Sequence, residues 1–518
     1  MLRNFSIVGG LTLLSRVTGF LRDIVLAAVL GAGPAADAFF VALRLPNHFR
    51  AIFAEGAFNA AFVPAYARIR GTRGPDPAAL FADRIFTLML ASQVVLLAIA
   101  LVFTPAVISL LAPGFYNDPG RFALAVDLTR ITFPYLLLVS LVTLYGGILN
   151  ALGRFASAAA APILLNLSMM LTLALAALFP SAGHAAAWGV LIAGCLEALL
   201  VATDASRQGA LPKWRWPRLD IEVKLFLKRF APATVGSAET QIALFADTII
   251  ASFLVTGALS ALYYADRLNQ LPIGVIGIAA GTVLLPEMAR RIAAGDEAGS
   301  RQAQCRAVEL TLLLSVPCMV AFLLVPDLIM RALFSRGAFT AANAQAAAAT
   351  LTAYAIGLLP FVLMRSATVT FLARGDTWTP VKALSVAVVV NVALKILLMD
   401  RFAQVGLALA TSIGAWVNLA LLIWFATRQQ LIEIDDRLRQ ALWKLAVAGV
   451  ALALVLWLCQ IPIADFFAGG LWRDEATLVV LAVLGALVYG AAVIALFGRQ
   501  WLAALRGRIK AAPSSDSE

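Results

Sequence analysis

Apolar residues recur in runs of about 20 along the whole chain, broken by short clusters of Pro, Gly and charged residues. A run of that length crosses a hydrocarbon core about 30 Å thick as an α-helix, and in lipid only such a helix satisfies its own backbone over one segment. Cutting at the polar clusters predicts about fourteen spans. They lie near 5–30, 35–66, 83–111, 122–150, 158–179, 185–204, 222–255, 259–291, 303–324, 342–373, 378–399, 404–427, 441–460 and 476–498. The prediction is an all-α polytopic membrane protein with no sizeable soluble domain. The first run carries Arg16, Arg22 and Asp23 and no small-residue cleavage site follows it, so it reads as an uncleaved span rather than a signal peptide.

Basic residues test this map, because Lys and Arg accumulate in the cytoplasmic loops of membrane proteins. With the N-terminus inside, about 27 fall in the even-numbered connections and at the two ends, against about six in the opposite loops. A missed helix would scramble every later loop, so the asymmetry supports both the span number and cytoplasmic termini. The net charge of +11 is thereby accounted for by topology, without a nucleic acid partner. The composition, 62% hydrophobic and 13% charged, leaves no room for a soluble catalytic domain. The four cysteines have no paired spacing, and two histidines cannot assemble a zinc or haem site.

The chain also resembles itself. FFVALRL at 39–45 is echoed by LYYADRL at 262–268, and FVPAYARI at 62–69 by LLPEMARR at 284–291, both offset by about 222 positions. Six spans fit within that offset. An even number gives two repeats of the same orientation, as in transporters that hold substrate between their halves. The expected organisation is a six-helix bundle over 1–208, a cytoplasmic linker over 209–221, a second bundle over 222–428 and a linker over 429–440. Two further helices at 441–498 and a cytoplasmic tail at 499–518 complete it.

Seven basic residues fall in or near spans: Arg16, Arg22, Arg44, Arg50, Arg267, Arg365 and Lys395. Each costs about 2.5–3.5 kcal/mol at a helix centre unless it meets water, a partner or a ligand. Arginine is informative, because its planar fork stays charged in low dielectric and grips phosphate bidentately. Arg16, Arg22, Arg50 and Arg267 are therefore candidate anion-binding residues. Asp23, Asp37, Glu55 and Asp266 are the acids that could pair with them, and Arg44 is the arginine most readily assigned to structure. Arg16 and Asp23 share a helix face, as do Asp37 and Arg44, and Pro46 is expected to bend or break the second helix just beyond them. Asp247 in the seventh span could pair with an arginine, carry a proton or join oxygen ligands around sodium. Asp376 reads as a helix cap and Asn391 as a packing residue before either reads as a ligand.

The segment SRVTGFLRDIVLAAVLGAGPAADAFFVALRLPNHFRAIFAEGAFNAAFVPAYA at 15–67, with YYADRLNQLPIGVIGIAAGTVLLPEM at 263–288 and LAPGFY at 111–116, closely resembles the MurJ (MviN) family of bacterial lipid II flippases, within the MOP exporter superfamily. The resemblance implies two six-helix bundles around a central cavity, with two last helices forming a groove for an undecaprenyl tail. It implies lipid II as substrate, moved between leaflets of the bacterial inner membrane by alternating access, with the membrane potential as a driving force and no resident cofactor. Membrane lipids would be the other partners, and a monomer is expected. Carried over by motif, Arg16, Arg22, Arg50 and Arg267 would bind the pyrophosphate, while Asp37, Glu55 and Asp23 would serve gating or release. Some relatives bind sodium through a carboxylate placed like Asp247, although the polar ligand they use late in the eleventh span has no evident counterpart in VAVVVNVALK. The competing readings are an oligosaccharide-lipid flippase or a cation-coupled drug antiporter of the same superfamily. A drug-cation site would favour acids and aromatics over arginines. An enzyme acting on polyprenyl phosphate would need a clustered acidic or histidine-based site that the chain lacks.

Overall fold

A computed structural model describes residues 2–50, 56–433, 435–470 and 472–498. Among these residues there is no β-strand, and nine helical stretches are long and apolar enough to cross a membrane. Glu55 and the tail 499–518 lie outside the described residues, as do the side chains of Glu239 and Gln241. The chain divides into two compact units: residues 1–260 with 334–343, and residues 261–333 with 344–518.

In the first unit α1 (Leu2–Leu30), α2 (Pro34–Phe49) and α3 (Gly56–Arg73) are followed by α4 (Pro75–Val102), α5 (Thr104–Leu111) and α6 (Pro119–Thr132). Then come α7 (Tyr135–Ala151), α8 (Ala156–Ala174), α9 (Ala182–Arg207) and α10 (Ile221–Ser252). Helix starts follow local chemistry. Asp118, Ser181 and Asp220 each accept a bond from the backbone N–H three residues on, and prolines at the first turns of α2, α4 and α6 occupy positions where a missing N–H costs nothing. Helix α10 belongs to this unit because Phe226 and Phe230 pack edge-on and stacked into an aromatic core with Phe58, Phe62 and Phe81 from α3 and α4. The unit thus reaches past residue 221, where the sequence repeat begins again.

Segment 334–343 is held by a close backbone approach. The Ala338 N–H donates to the Ala28 carbonyl at 2.7 Å. A side chain on Gly337 (φ +57°) would meet the Ala28 carbonyl oxygen at 2.3 Å, and one on Gly31 (φ +68°) would meet that of Ala338 at 2.6 Å. Both glycines are required by conformation and by space.

The second unit takes in most of α11 (Ala258–Pro272), then a π-helical turn Ile273–Gly277, α12 (Ile278–Ala293), α13 (Glu297–Leu324) and α14 (Pro326–Phe334). It continues with α15 (Ala341–Ile356), α16 (Leu358–Leu372), α17 (Trp378–Arg428), α18 (Asp436–Phe466) and α19 (Arg473–Phe497). The short α14 has no counterpart among the predicted spans. Helix α17 covers two of them, broken at Ala403 (φ +45°, ψ −128°). There its two halves fold against each other: side chains on Gly406 and Gly414 would meet the Leu398 carbonyl oxygen at 2.7 Å and the Asn391 Cβ at 3.0 Å. Asn391 is therefore a packing residue. Asp376 precedes α17 and accepts bonds from the Thr379 hydroxyl at 2.6 Å and the backbone N–H groups of Thr379 and Trp378, which hold its carboxyl below the usual carboxylate range.

Helix α2 runs through Pro46, with a π-type turn at Arg50, and α11 ends at Pro272 directly before its own π turn. Single π turns inside helices concentrate at functional sites. The two occur at the segments that the sequence repeat pairs.

Candidate functional site

Three groups of charged side chains in the first unit contain candidate residues named from the sequence. On α1, Arg22 pairs with its neighbour Asp23 (Nη2 to Oδ1, 2.7 Å) and donates to Asn166 Oδ1 of α8 at 3.1 Å. Asn166 in turn donates to the Ser15 carbonyl and the Thr18 hydroxyl, each at 3.0 Å. The guanidinium is thus braced against α8 from one side. Asp23 is matched with Arg22 rather than with Arg16 one face-repeat away, and Arg16 is exposed.

The second group surrounds Asp37, which is fully buried. Its carboxylate accepts from the Gly257 N–H at 2.8 Å, from the Ser260 N–H at 3.1 Å and from the Ser260 hydroxyl at 2.7 Å. Arg121, a buried residue of α6, stands 3.5 Å away and also donates to the Thr256 hydroxyl at 3.2 Å and the Ser252 carbonyl at 3.1 Å. The Arg121 guanidinium lies 3.8 Å from the centre of the Phe115 ring. Ser252 receives the Gly114 N–H at 3.0 Å. This arrangement ties α2, the 112–121 segment and the 252–260 turn together through directional bonds to a charge pair. Arg44, expected to share a face with Asp37, donates instead to Thr248 of α10 at 2.8 Å.

The third group is Glu197 of α9, with Arg50 half-buried at the end of α2. Glu197 is buried and its Oε2 accepts from the Tyr135 hydroxyl at 3.4 Å. Asp247 is half-buried on α10, one residue from the Thr248 hydroxyl that Arg44 engages. Among the described residues there is no group of three or more His, Cys, Asp or Glu.

In the second unit Arg267 donates to its own helix neighbour Tyr263 at 3.1 Å, its guanidinium 4.7 Å from the ring centre. Asp266 accepts from Gln270 at 2.5 Å. Arg365 is exposed on α16, its stem against Gly277 of the π turn, and Lys395 of α17 is buried.

The same unit holds a groove of about 600 Å³ between α13, α18 and α19. Leu313, Pro317, Phe322, Leu456, Gly485 and Val493 are among its lining residues, with Tyr489 donating its hydroxyl to the Leu313 carbonyl at 2.9 Å. Ion pairs grip the helices at both ends. Arg306 of α13 binds Asp435, the cap of α18, and Glu309 at 2.5 Å, while Arg437 stands 3.6 Å from Glu309. At the other end Arg331 of α14 binds Asp474 of α19 at 3.1 Å and also Asp327.

A family model described as "Lipid II flippase MurJ" matches residues 26–501. The chain belongs to the MurJ family. A probable lipid II flippase MurJ of Rhizobium meliloti (strain 1021) is 38% identical, the match covering 100% of this chain and 98% of the relative. One of Haemophilus influenzae is 36% identical over 94% of this chain and 98% of its own length. A solved structure titled "Lipid II flippase MurJ, inward closed conformation" shares the fold at a TM-score of 0.80 and 24% identity, covering 95% of this chain and 98% of that one. A multidrug resistance MATE family transporter of the MOP superfamily, in an inward-facing conformation, follows at a TM-score of 0.68 and 15% identity over 80% of this chain and 95% of its own. This MurJ family member is a multi-pass membrane protein of a transporter fold.

Arg121 and Glu197 carry two of the three charge groups and neither was singled out from sequence. Arg121 sits at the edge of a predicted span, where a charge reads as a loop residue. Glu197 is a lone acid inside GVLIAGCLEALLVAT, and a membrane-buried ionisable group is itself a signal of function.

Proposed function

We propose that this protein translocates lipid II, the undecaprenyl-pyrophosphate-linked peptidoglycan precursor, from the inner to the outer leaflet of the bacterial cytoplasmic membrane by alternating access, as a monomer with both termini in the cytoplasm. The observation that carries this reading is membership of the lipid II flippase family over residues 26–501. Arg16, Arg22, Arg50 and Arg267 neutralise the pyrophosphate. Phosphate competes with Asp23 for Arg22 and with Glu197 for Arg50, and the carboxylates recover their partners on release. Asp37 and Glu55 act in gating, with Asp37 holding the 252–260 turn in one conformation of the cycle. The polyprenyl tail runs in the apolar groove of α13, α18 and α19. A membrane potential negative inside favours outward movement of a net negative complex by about 2.3 kcal/mol per charge per 100 mV.

The test is reconstitution into liposomes with leaflet-specific detection of lipid II. Arg22→Ala and Arg267→Ala each remove charge-assisted hydrogen bonds, contributions of about 1.5–3 kcal/mol, and should slow translocation about tenfold or more. Rates equal to wild type in both variants would sink the phosphate role. Replacing sodium by potassium, with and without an imposed potential, separates ion coupling at Asp247 from a purely electrical drive.

A further inference from the structure

Residues 209–220, GALPKWRWPRLD, connect α9 to α10 without regular secondary structure, yet they are fixed along α4. The Asp83 carboxylate accepts the Lys213 backbone N–H at 2.7 Å and Arg215 Nε at 2.8 Å, and the Thr87 hydroxyl accepts the Arg215 N–H at 3.1 Å. Asp220 pairs with Arg84 and caps α10. Beyond the cap, Glu222 binds Arg68 at 2.5 Å and Arg73 at 3.2 Å. On either side of Arg215, which is bonded to Asp83 of α4, Trp214 and Trp216 are 60% and 79% exposed.

The level of this segment is set by α4. Asp83 and Arg84 are the last charged residues of that helix, and from Ile85 to Val102 it carries none. The anchors at residues 83–87 therefore lie where the helix passes from headgroup region to hydrocarbon. Tryptophan favours that layer, its ring apolar and its indole N–H polar. In the same segment and the first turns of α10, Lys213, Arg218, Lys224, Lys228 and Arg229 are all exposed, and the acids nearby in sequence, Asp220 and Glu222, are already matched with Arg84, Arg68 and Arg73.

We propose that residues 209–220 form an interfacial strap that docks onto anionic phospholipid headgroups, with Trp214 and Trp216 inserted at the acyl boundary and Lys213 and Arg218 contacting the lipid phosphates. A bilayer fits better than an acidic protein, because the indoles are held at the charge boundary of a membrane helix. Basic residues near a membrane bind negative surfaces additively, and the attraction falls with ionic strength.

The full chain is reconstituted in bilayers mixing phosphatidylglycerol and phosphatidylcholine, with bromine placed high on the tails of one lipid at a time. The contribution of the strap is the emission of wild type minus that of Trp214→Phe/Trp216→Phe. Brominated phosphatidylglycerol should quench it about twofold more than brominated phosphatidylcholine at equal mole fraction. High salt, or Lys213→Gln/Arg218→Gln, should abolish that preference. Equal quenching by the two lipids in wild type at low salt would overturn the proposal. So would emission that no brominated lipid quenches but aqueous iodide does, the result expected of a strap facing water or a soluble acidic partner. Should the charge variant fail to fold, the salt series on wild type decides the same point.

Discussion

The surroundings of Asp37 and the groove of α13, α18 and α19 solve opposite problems with opposite means. Around Asp37 a fully buried carboxylate is matched by two backbone N–H groups, a hydroxyl and Arg121, so the site is dense, polar and directional. In the groove a cavity of about 600 Å³ is lined by aliphatic and aromatic carbon, and its charges sit only at the ends of the helices. A polar cluster of the first kind has few acceptable geometries and costs much to leave half-satisfied, which suits an element that must be in one state or another. An apolar groove makes no directional demand and accepts a flexible chain in many registers. Under the proposed function, the difference would separate a switch from a holder.

The largest effect should come from breaking the switch. Asp37→Asn leaves Arg121 buried without its counter-charge, a change that typically costs about 3–5 kcal/mol. Thermal unfolding in detergent should show it as a large drop in the midpoint, partly restored in the double variant Asp37→Asn/Arg121→Gln. An unchanged midpoint in the single variant would show that the pair is not structural.

The groove should respond in function rather than in stability. Gly490 lines the groove, and a Cβ added there meets nothing within 4 Å. Gly490→Leu places four carbon atoms in the groove; if they displace about two methylenes of the tail, each contributing about 0.8 kcal/mol of apolar burial, transport of the undecaprenyl substrate should fall about tenfold. A short-tailed analogue should be moved as well as by wild type. Equal losses for both tails would mean that the groove does not hold the chain.

The smallest effect belongs to the clamps. Arg331 and Asp474 are each about one-third exposed, and Arg331→Gln should cost about 1 kcal/mol or less, diminishing further at high salt. A loss as large as that of Asp37→Asn would erase the contrast between a rigid switch and a loosely fastened holder.

Much of this was legible in the residues. Long apolar runs dictated helices because lipid leaves the backbone no other partner, and the membrane arginines announced themselves by cost. Candidates such as Arg22, Arg50 and Arg267 could be nominated one by one. Their partners could not. Asp37 and Arg44 share a helix face, yet Asp37 meets Arg121 and Arg44 meets Thr248, because each side chain reached a better partner on another helix. Glu197 came into view only when α7 and α9 brought Tyr135 against it. Exposed leucines were equally mute, since a groove wall and a lipid-facing surface have the same composition.

By itself the sequence determined the helical class and the family. These depend on local chemistry: hydropathy over about 20 residues, prolines, glycines and charge placed along one chain. Tertiary structure alone decided that Asp37 is sealed by residues more than 200 positions away, that Arg121 rather than a neighbour balances it, and that three helices enclose an apolar groove. A buried charge takes the partner that packing delivers, and packing is a property of the whole fold.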